Sequence, residues 1–226
     1  MTRLELLVLD YDETAVENTV DFYEAYCEAL KIHGKKCVSF DRFIALLSTD
    51  ELGEEIPVGA DEVGFWRVFR RVYGSRHSTL RRGLRELLIA VKTLNVKVVV
   101  ISGRETPPYH IEFDLRKHGI SEFVDGVYTL YNLLLVGERE EFLFDKSPLI
   151  RYAKRKHGIS GEVICIGDYV TDYYSCRKAG GVFVGIASVS ERGESLKKSR
   201  RGVPSKRLLR GITLLTLPWT TKGLNR

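Results

Sequence analysis

The sequence predicts an α/β fold: a Rossmann-like parallel sheet core with helices on both faces, plus a small all-helical domain. Three observations predict it. Leu6-Leu7-Val8-Leu9 is an uninterrupted apolar run of strand type, as suits a strand buried on both faces of a parallel sheet. Further short apolar runs follow at 96–101, 162–167 and 181–186, with amphipathic helical patterns between them. Residues 16–78, by contrast, carry helical periodicity and no strand pattern. The expected division is therefore a discontinuous α/β core, 1–15 and 79–226, with a helical unit at 16–78.

The first strand stops at Asp10, and Asp12 follows two positions on. After Thr14 the period changes: Val20, Tyr23, Ala25, Tyr26, Ala29 and Leu30 recur at helical spacing, up to a stop at His33-Gly34. Ser39 is placed to cap a short helix over 40–47. A polar stretch through Gly53 and Pro57 leads to Asp61, which opens a helix over 62–73. Its apolar set is Val63, Trp66, Phe69, Val72 and Tyr73, with Arg67, Arg70 and Arg71 largely off that face.

Leu80, Leu84, Leu87, Leu88, Val91 and Leu94 then mark a strong amphipathic helix. The strand at 96–101 ends in Ser102-Gly103-Arg104. A helix after Pro107-Pro108 stops at His118-Gly119, and 123–127 reads as a short strand. Residues 133–136 and 141–144 flank Gly137-Glu138 like a hairpin. Pro148 sits near the start of a helix that stops at His157-Gly158. The strand at 162–167 ends at Asp168, before a helix at 171–179 and a last strand at 181–186. His33, His118 and His157 each precede a helix-ending Gly, which reads as capping rather than chemistry.

A chain of 226 residues that is 44% hydrophobic has material for one real core and a smaller lobe. Net charge of +5 suits an anionic substrate without implying nucleic acid. The strand pattern begins so near Met1 that no secretory leader is expected, and no apolar run nears the ~20 residues that span a bilayer. A cytoplasmic protein is the expectation. Cys27, Cys37, Cys165 and Cys176 form no C-x-x-C pair, which argues against zinc and for reduced thiols. The absence of Gln, a single Met and abundant Lys, Arg and Glu give a thermophile-like composition, which leaves a Cys27–Cys37 disulfide open.

Asp10 and Asp12 stand at a strand's carboxyl end, where open α/β sheets bind ligands. Two like charges at ~4 Å and an effective dielectric near 20 repel by about 4 kcal/mol, and a divalent cation offsets that cost. Three more features follow in order: Ser102 after a strand, Lys146 before a helix, and G-D-x-x-x-D from Gly167 to Asp172. With D-x-D-x-T at Asp10 to Thr14, these motifs make the α/β part resemble the haloacid dehalogenase-like (HAD) superfamily phosphatases, over roughly 1–15 and 79–190.

The resemblance implies roles. Asp10 is the expected nucleophile, forming an aspartyl-phosphate, and Asp12 the general acid and then base. Ser102 and Gly103 would bind the phosphoryl group, and Lys146 would neutralise it and Asp10. Mg²⁺ is the expected cofactor, held by Asp10, the Asp12 carbonyl, Asp168 and Asp172. The helical unit lies where this family carries a cap that selects the substrate, which implies a small phosphorylated metabolite of phosphoglycolate or sugar-phosphate type. Arg67, Arg70 and Arg71 are candidates for an anionic substrate group. Glu13 and Ala15 depart from the common Gly and Leu, and Glu13 adds a charge expected near the entrance.

Two rival readings remain. A phosphomutase would use the same nucleophile. A nucleic-acid-binding protein would use the basic tail from Arg192 to Arg210, although no aromatic stacking platform accompanies it. The apolar stretch from Leu208 to Trp219 suits packing on the core or on a second subunit, so monomer and homodimer both stay open.

Overall fold

A computed structural model describes residues 3–133, 137 and 139–186. The strands are β1 (Leu4–Asp10), β2 (Val16–Glu17), β3 (Thr79–Leu80), β4 (Lys97–Ser102), β5 (Gly126–Thr129), β6 (Glu162–Gly167) and β7 (Val182–Gly185). The helices are α1 (Thr19–Ile32), α2 (Phe40–Thr49), α3 (Glu62–Val72), α4 (Leu84–Thr93), α5 (Tyr109–Lys117), α6 (Ser147–Lys156) and α7 (Val170–Lys178).

Five strands form one parallel sheet in the order β5-β4-β1-β6-β7. Its middle strand is β1, the apolar run from which the sequence reading began. Leu7 and Leu9 face a cluster with Leu88, Ile111 and Leu115 from α4 and α5. Leu6 and Val8 face the opposite cluster, with Leu149 and Ile150 of α6 and Cys176 of α7. Burial on both faces explains why the run does not alternate. The chain builds outward from β1 through β4 to β5, then crosses back to β6. That reversal opens a crevice at the strands' carboxyl ends.

Helices α1, α2 and α3 pack around a core of their own, including Tyr26, Leu30, Phe43, Leu46, Phe65 and Phe69. Ser39 accepts from Arg42 N, and Asp61 from Val63 N, as N-caps. The expectation of no strand at 16–78 needs correcting. Val16 and Glu17 pair antiparallel with Leu80 and Thr79. The chain leaves and re-enters the sheet domain at one place, and the two extended passes satisfy each other's main-chain groups.

Other expectations shift too. α4 begins at Leu84, Leu80 belongs to β3, and Leu87 and Leu94 are exposed. α3 exposes Val63 and Val72 and buries Phe65 and Arg70 instead. The strand expected at 123–127 lies at Gly126–Thr129, after a 3₁₀ turn over Ser121–Phe123. The hairpin is not formed at 141–144, which is bend and turn; Leu143 and Phe144 pack on the helical core. Residues 134–136, the other half of that expectation, lie outside the described residues, as do the basic tail and 208–219. The four cysteines stand as two disulfides, Cys27–Cys37 and Cys165–Cys176, against the expectation of reduced thiols. Composition alone does not reveal such pairing across the fold. Among the described residues no helix is long and apolar enough to cross a membrane.

Candidate active site

Asp10 ends β1, Ser102 ends β4, and Asp168 follows β6 directly, so the sheet delivers all three to the crevice. Lys146 precedes α6, and Asp172 lies in the first turn of α7. Lys146 Nζ stands 2.5 Å from Asp10 Oδ1 and 2.6 Å from Asp172 Oδ1. Oxygens of Asp10, Asp168 and Asp172 lie within 4.8 Å of one another. Thr14 Oγ1 donates to Asp168 Oδ1 at 3.1 Å. The Tyr169 N–H donates to Asp172 Oδ2, so one carboxylate both caps α7 and holds Lys146. A Cβ on Gly167 would lie 2.6 Å from the Asp172 Cβ; only glycine lets the helix start this close to the strand. On Gly103 a Cβ would press on the Phe144 ring at 3.0 Å.

Asp10 and Asp172 share the Lys146 ammonium, and the buried Asp168 carboxylate lies beside them. Burial, then the Asp172 charge, hold the Asp10 carboxyl well above its usual range. Burial likewise raises Asp172, against the pull of Lys146. Burial alone would lower Lys146, but Asp10 and Asp172 raise it, so it stays charged. Three buried carboxylates clustered beside one ammonium offer the hard oxygen donors that suit Mg²⁺.

Asp12 sits beside this cluster with its own partners. Its Oδ2 accepts from Ser102 Oγ at 3.0 Å, and its Oδ1 from Asn18 Nδ2 at 2.8 Å. Arg104 closes the set, with Nη2 at 2.5 Å from Oδ1 and Nε at 3.1 Å from Oδ2. The buried guanidinium lies over the rings of Tyr73 and Tyr11, 4.5 and 5.3 Å from their centroids. Sequence reading missed Arg104 and Asn18 as partners of Asp12. Arg104 follows Ser102-Gly103 at once, which was a usable signal, but an isolated Arg near a strand end reads as surface.

Glu13 lines the cavity, as expected of a charge near the entrance, but its carboxylate is engaged locally. It has φ +56°, is buried, and its Oε1 accepts from Asn18 N at 3.0 Å and Thr19 Oγ1 at 2.9 Å, at the start of α1. The positive φ explains why Gly suits this position. Arg67, Arg70 and Arg71 are not on the cavity wall. They converge on Glu105, Arg70 at 2.7 Å and Arg71 at 3.0 Å, and Arg70 also reaches Glu140 at 2.8 Å. His33, His118 and His157 follow helix ends as expected. His77 lies 3.5 Å from Glu24.

A cavity of about 310 Å³ opens above Asp10, Asp12 and Lys146, roofed by residues of α1, α3 and the segment after α2. Tyr169 of the sheet domain donates to Asp50 across it.

No family model matches the sequence, and no curated protein matches it either. Solved structures do match in fold. A predicted phosphoglycolate phosphatase from Haemophilus somnus 129pt aligns at 21% identity over 82% of this chain and 86% of its own, with a TM-score of 0.58. A predicted phosphatase from Clostridium acetobutylicum aligns at 17% identity over 87% and 90%, with a TM-score of 0.64. A HAD-superfamily hydrolase of subfamily IA from Geobacter sulfurreducens aligns at 17% identity over 87% and 100%, with a TM-score of 0.56. At these identities the likeness is one of fold: the chain has the fold of HAD-superfamily hydrolases.

Proposed function

We propose that the protein is a Mg²⁺-dependent phosphatase that hydrolyses a small phosphorylated metabolite through an aspartyl-phosphate. The observation that carries this reading is the meeting of Asp10, Asp168 and Asp172 at the carboxyl ends of the strands, with Lys146 bridging Asp10 and Asp172. The side chains of Asp10, Asp168 and Asp172 and the Asp12 carbonyl would hold Mg²⁺, which supplies positive charge for the phosphoryl oxygens.

An Asp10 oxygen attacks phosphorus while the ester P–O bond breaks, and Asp12 gives its proton to the leaving oxygen. Lys146 offsets charge on the phosphoryl group. Asp12 then takes a proton from water as that water attacks phosphorus. The bond to Asp10 breaks and inorganic phosphate leaves. Both Asp12 oxygens are occupied at rest, Oδ2 by Ser102 and Arg104. An arriving phosphoryl group that takes the Ser102 hydroxyl loosens Oδ2 at the moment it is needed.

The test is phosphate release from a panel of phosphorylated metabolites, with and without Mg²⁺, by the wild type and Asp10→Asn. Release is expected to need Mg²⁺ and to vanish in the variant. Turnover that survives Asp10→Asn refutes the mechanism, and transfer to a second hydroxyl with little free phosphate would mark a mutase.

A further inference from the structure

The cavity wall says what kind of alcohol leaves. Its floor is ionic, but its upper wall is Phe22, Leu52, Trp66, Phe69 and Phe144. Trp66 meets Phe69 edge-on at 5.6 Å and Phe144 at 5.9 Å, an arrangement that offers ring edges and faces to a further ring. Among the described residues the lining cations are Lys146 and Arg104. Lys146 is held by Asp10 and Asp172, and Arg104 by Asp12. The other charged lining groups are acidic, Glu13, Asp50, Glu62 and Asp168. The three arginines of α3 that might have answered a second anionic group are bound to Glu105 instead.

Among the described residues, a carboxylate on the leaving group would therefore meet carboxylates and aromatic carbon, with no further cation to offset its desolvation. A sugar would set some of its hydroxyls against the aromatic side of the wall, which offers them no acceptor.

We propose that the substrate is the phosphate monoester of an uncharged, ring-bearing apolar alcohol, selected by the Trp66–Phe69–Phe144 wall. This rests on the phosphatase reading above and narrows it, away from the phosphoglycolate and sugar-phosphate classes. Trp66 is the specificity residue, since it touches both neighbouring rings and lines the cavity.

The test compares kcat/KM of the full chain with Mg²⁺ on benzyl phosphate, 2-phosphoglycolate, glucose 6-phosphate and phosphocholine. All four are esters of primary alcohols, so an activated phenolic leaving group does not favour one of them. Benzyl phosphate is expected to lead by at least about tenfold. Trp66→Ala should remove most of that lead by lowering the benzyl phosphate value, with the others changed less than about threefold. Because the readout is a ratio, partial unfolding of this variant leaves it intact. Glu62→Lys, an exposed change at the rim, should raise 2-phosphoglycolate relative to benzyl phosphate. A lead by 2-phosphoglycolate, glucose 6-phosphate or phosphocholine overturns the proposal and leaves the phosphatase reading standing. Failure to hydrolyse any ester with Mg²⁺ overturns both.

Discussion

Asp168→Asn should make the metal-free protein more stable and the enzyme inactive. Asparagine keeps an oxygen for the 3.1 Å bond from Thr14 Oγ1 and nearly the same volume. It removes one of three carboxylates whose oxygens lie within 4.8 Å of one another. At that spacing and an effective dielectric near 20, each like-charge pair costs about 3.5 kcal/mol. Asp168 makes such pairs with Asp10 and with Asp172. The protein avoids much of that cost, because burial and Asp172 already favour a proton on Asp10. The net gain is therefore about 1–3 kcal/mol. For a chain of this size each kcal/mol moves Tm by roughly 2–4 °C. A thermal melt at pH 7 in EDTA should show a rise of about 2–10 °C. Adding Mg²⁺ should raise the wild-type Tm and leave the variant unmoved. A variant that melts lower in EDTA, yet still gains from Mg²⁺, would refute the reasoning, for the three acids would then not be sharing one cation site.

Glu13 and Asp125 give independent checks. Glu13→Gly should relieve the φ of +56° but lose two hydrogen bonds at the start of α1, for a net loss of about 1 kcal/mol in urea unfolding; Glu13→Ala keeps the strained φ and should cost about 1 kcal/mol more. Equal losses in the two variants would mean that the backbone there carries no strain. Asp125 is partly buried, but bonds from Lys92 Nζ, Val98 N and Lys97 Nζ outweigh that and hold its carboxyl below the usual range. Its folded value is depressed, so its contribution to stability is present above the ordinary carboxylate range and lost as pH falls through the depressed value. Unfolding free energy followed across that acid range should fall less steeply in Asp125→Asn than in the wild type. Parallel curves would remove Asp125 from the acid limb.

The sheet and the floor of the site were legible because each signal is local. An apolar run closed by Asp, or Gly167-Asp168 before a helix, states in a few residues both the element and its carboxyl end. What escaped depends on an element with more than one neighbour. Reading α3 as one apolar stripe put Arg70 off the buried face, whereas α3 buries Phe65 and Phe69 in the helical core and turns Arg70 onto Glu105 and Glu140. Val63 and Val72 fitted the stripe and are exposed, since neither faces a neighbour. Asp12 was read as an acid–base group with only its carbonyl toward the metal; what escaped is that Arg104 and Asn18, beside Ser102, hold its carboxylate. Arg104 reaches Asp12 only once β4 lies beside β1, and Asn18 only once the chain turns between β1 and α1.

The segment after β4 ties the chemistry to the wall. Ser102 and Arg104 hold the Asp12 carboxylate. The next residue, Glu105, holds Arg70 through a side-chain pair at 2.7 Å and through its own N–H to the Arg70 carbonyl at 3.0 Å. Arg67 and Arg71 add contacts that water screens, but Arg70 is 1% exposed, so its pair is the one that fixes position. Arg70 lies one turn beyond Trp66 and next to Phe69, two residues that line the cavity. An apolar contact between α3 and the sheet domain would tolerate sliding; a buried guanidinium held at two carboxylates tolerates far less. Asp12, the proposed proton donor, and the aromatic wall proposed to receive the alcohol are thus registered against each other through residues 102–105. The proposed reaction needs that registration, since Asp12 must meet the oxygen of an alcohol seated against Trp66.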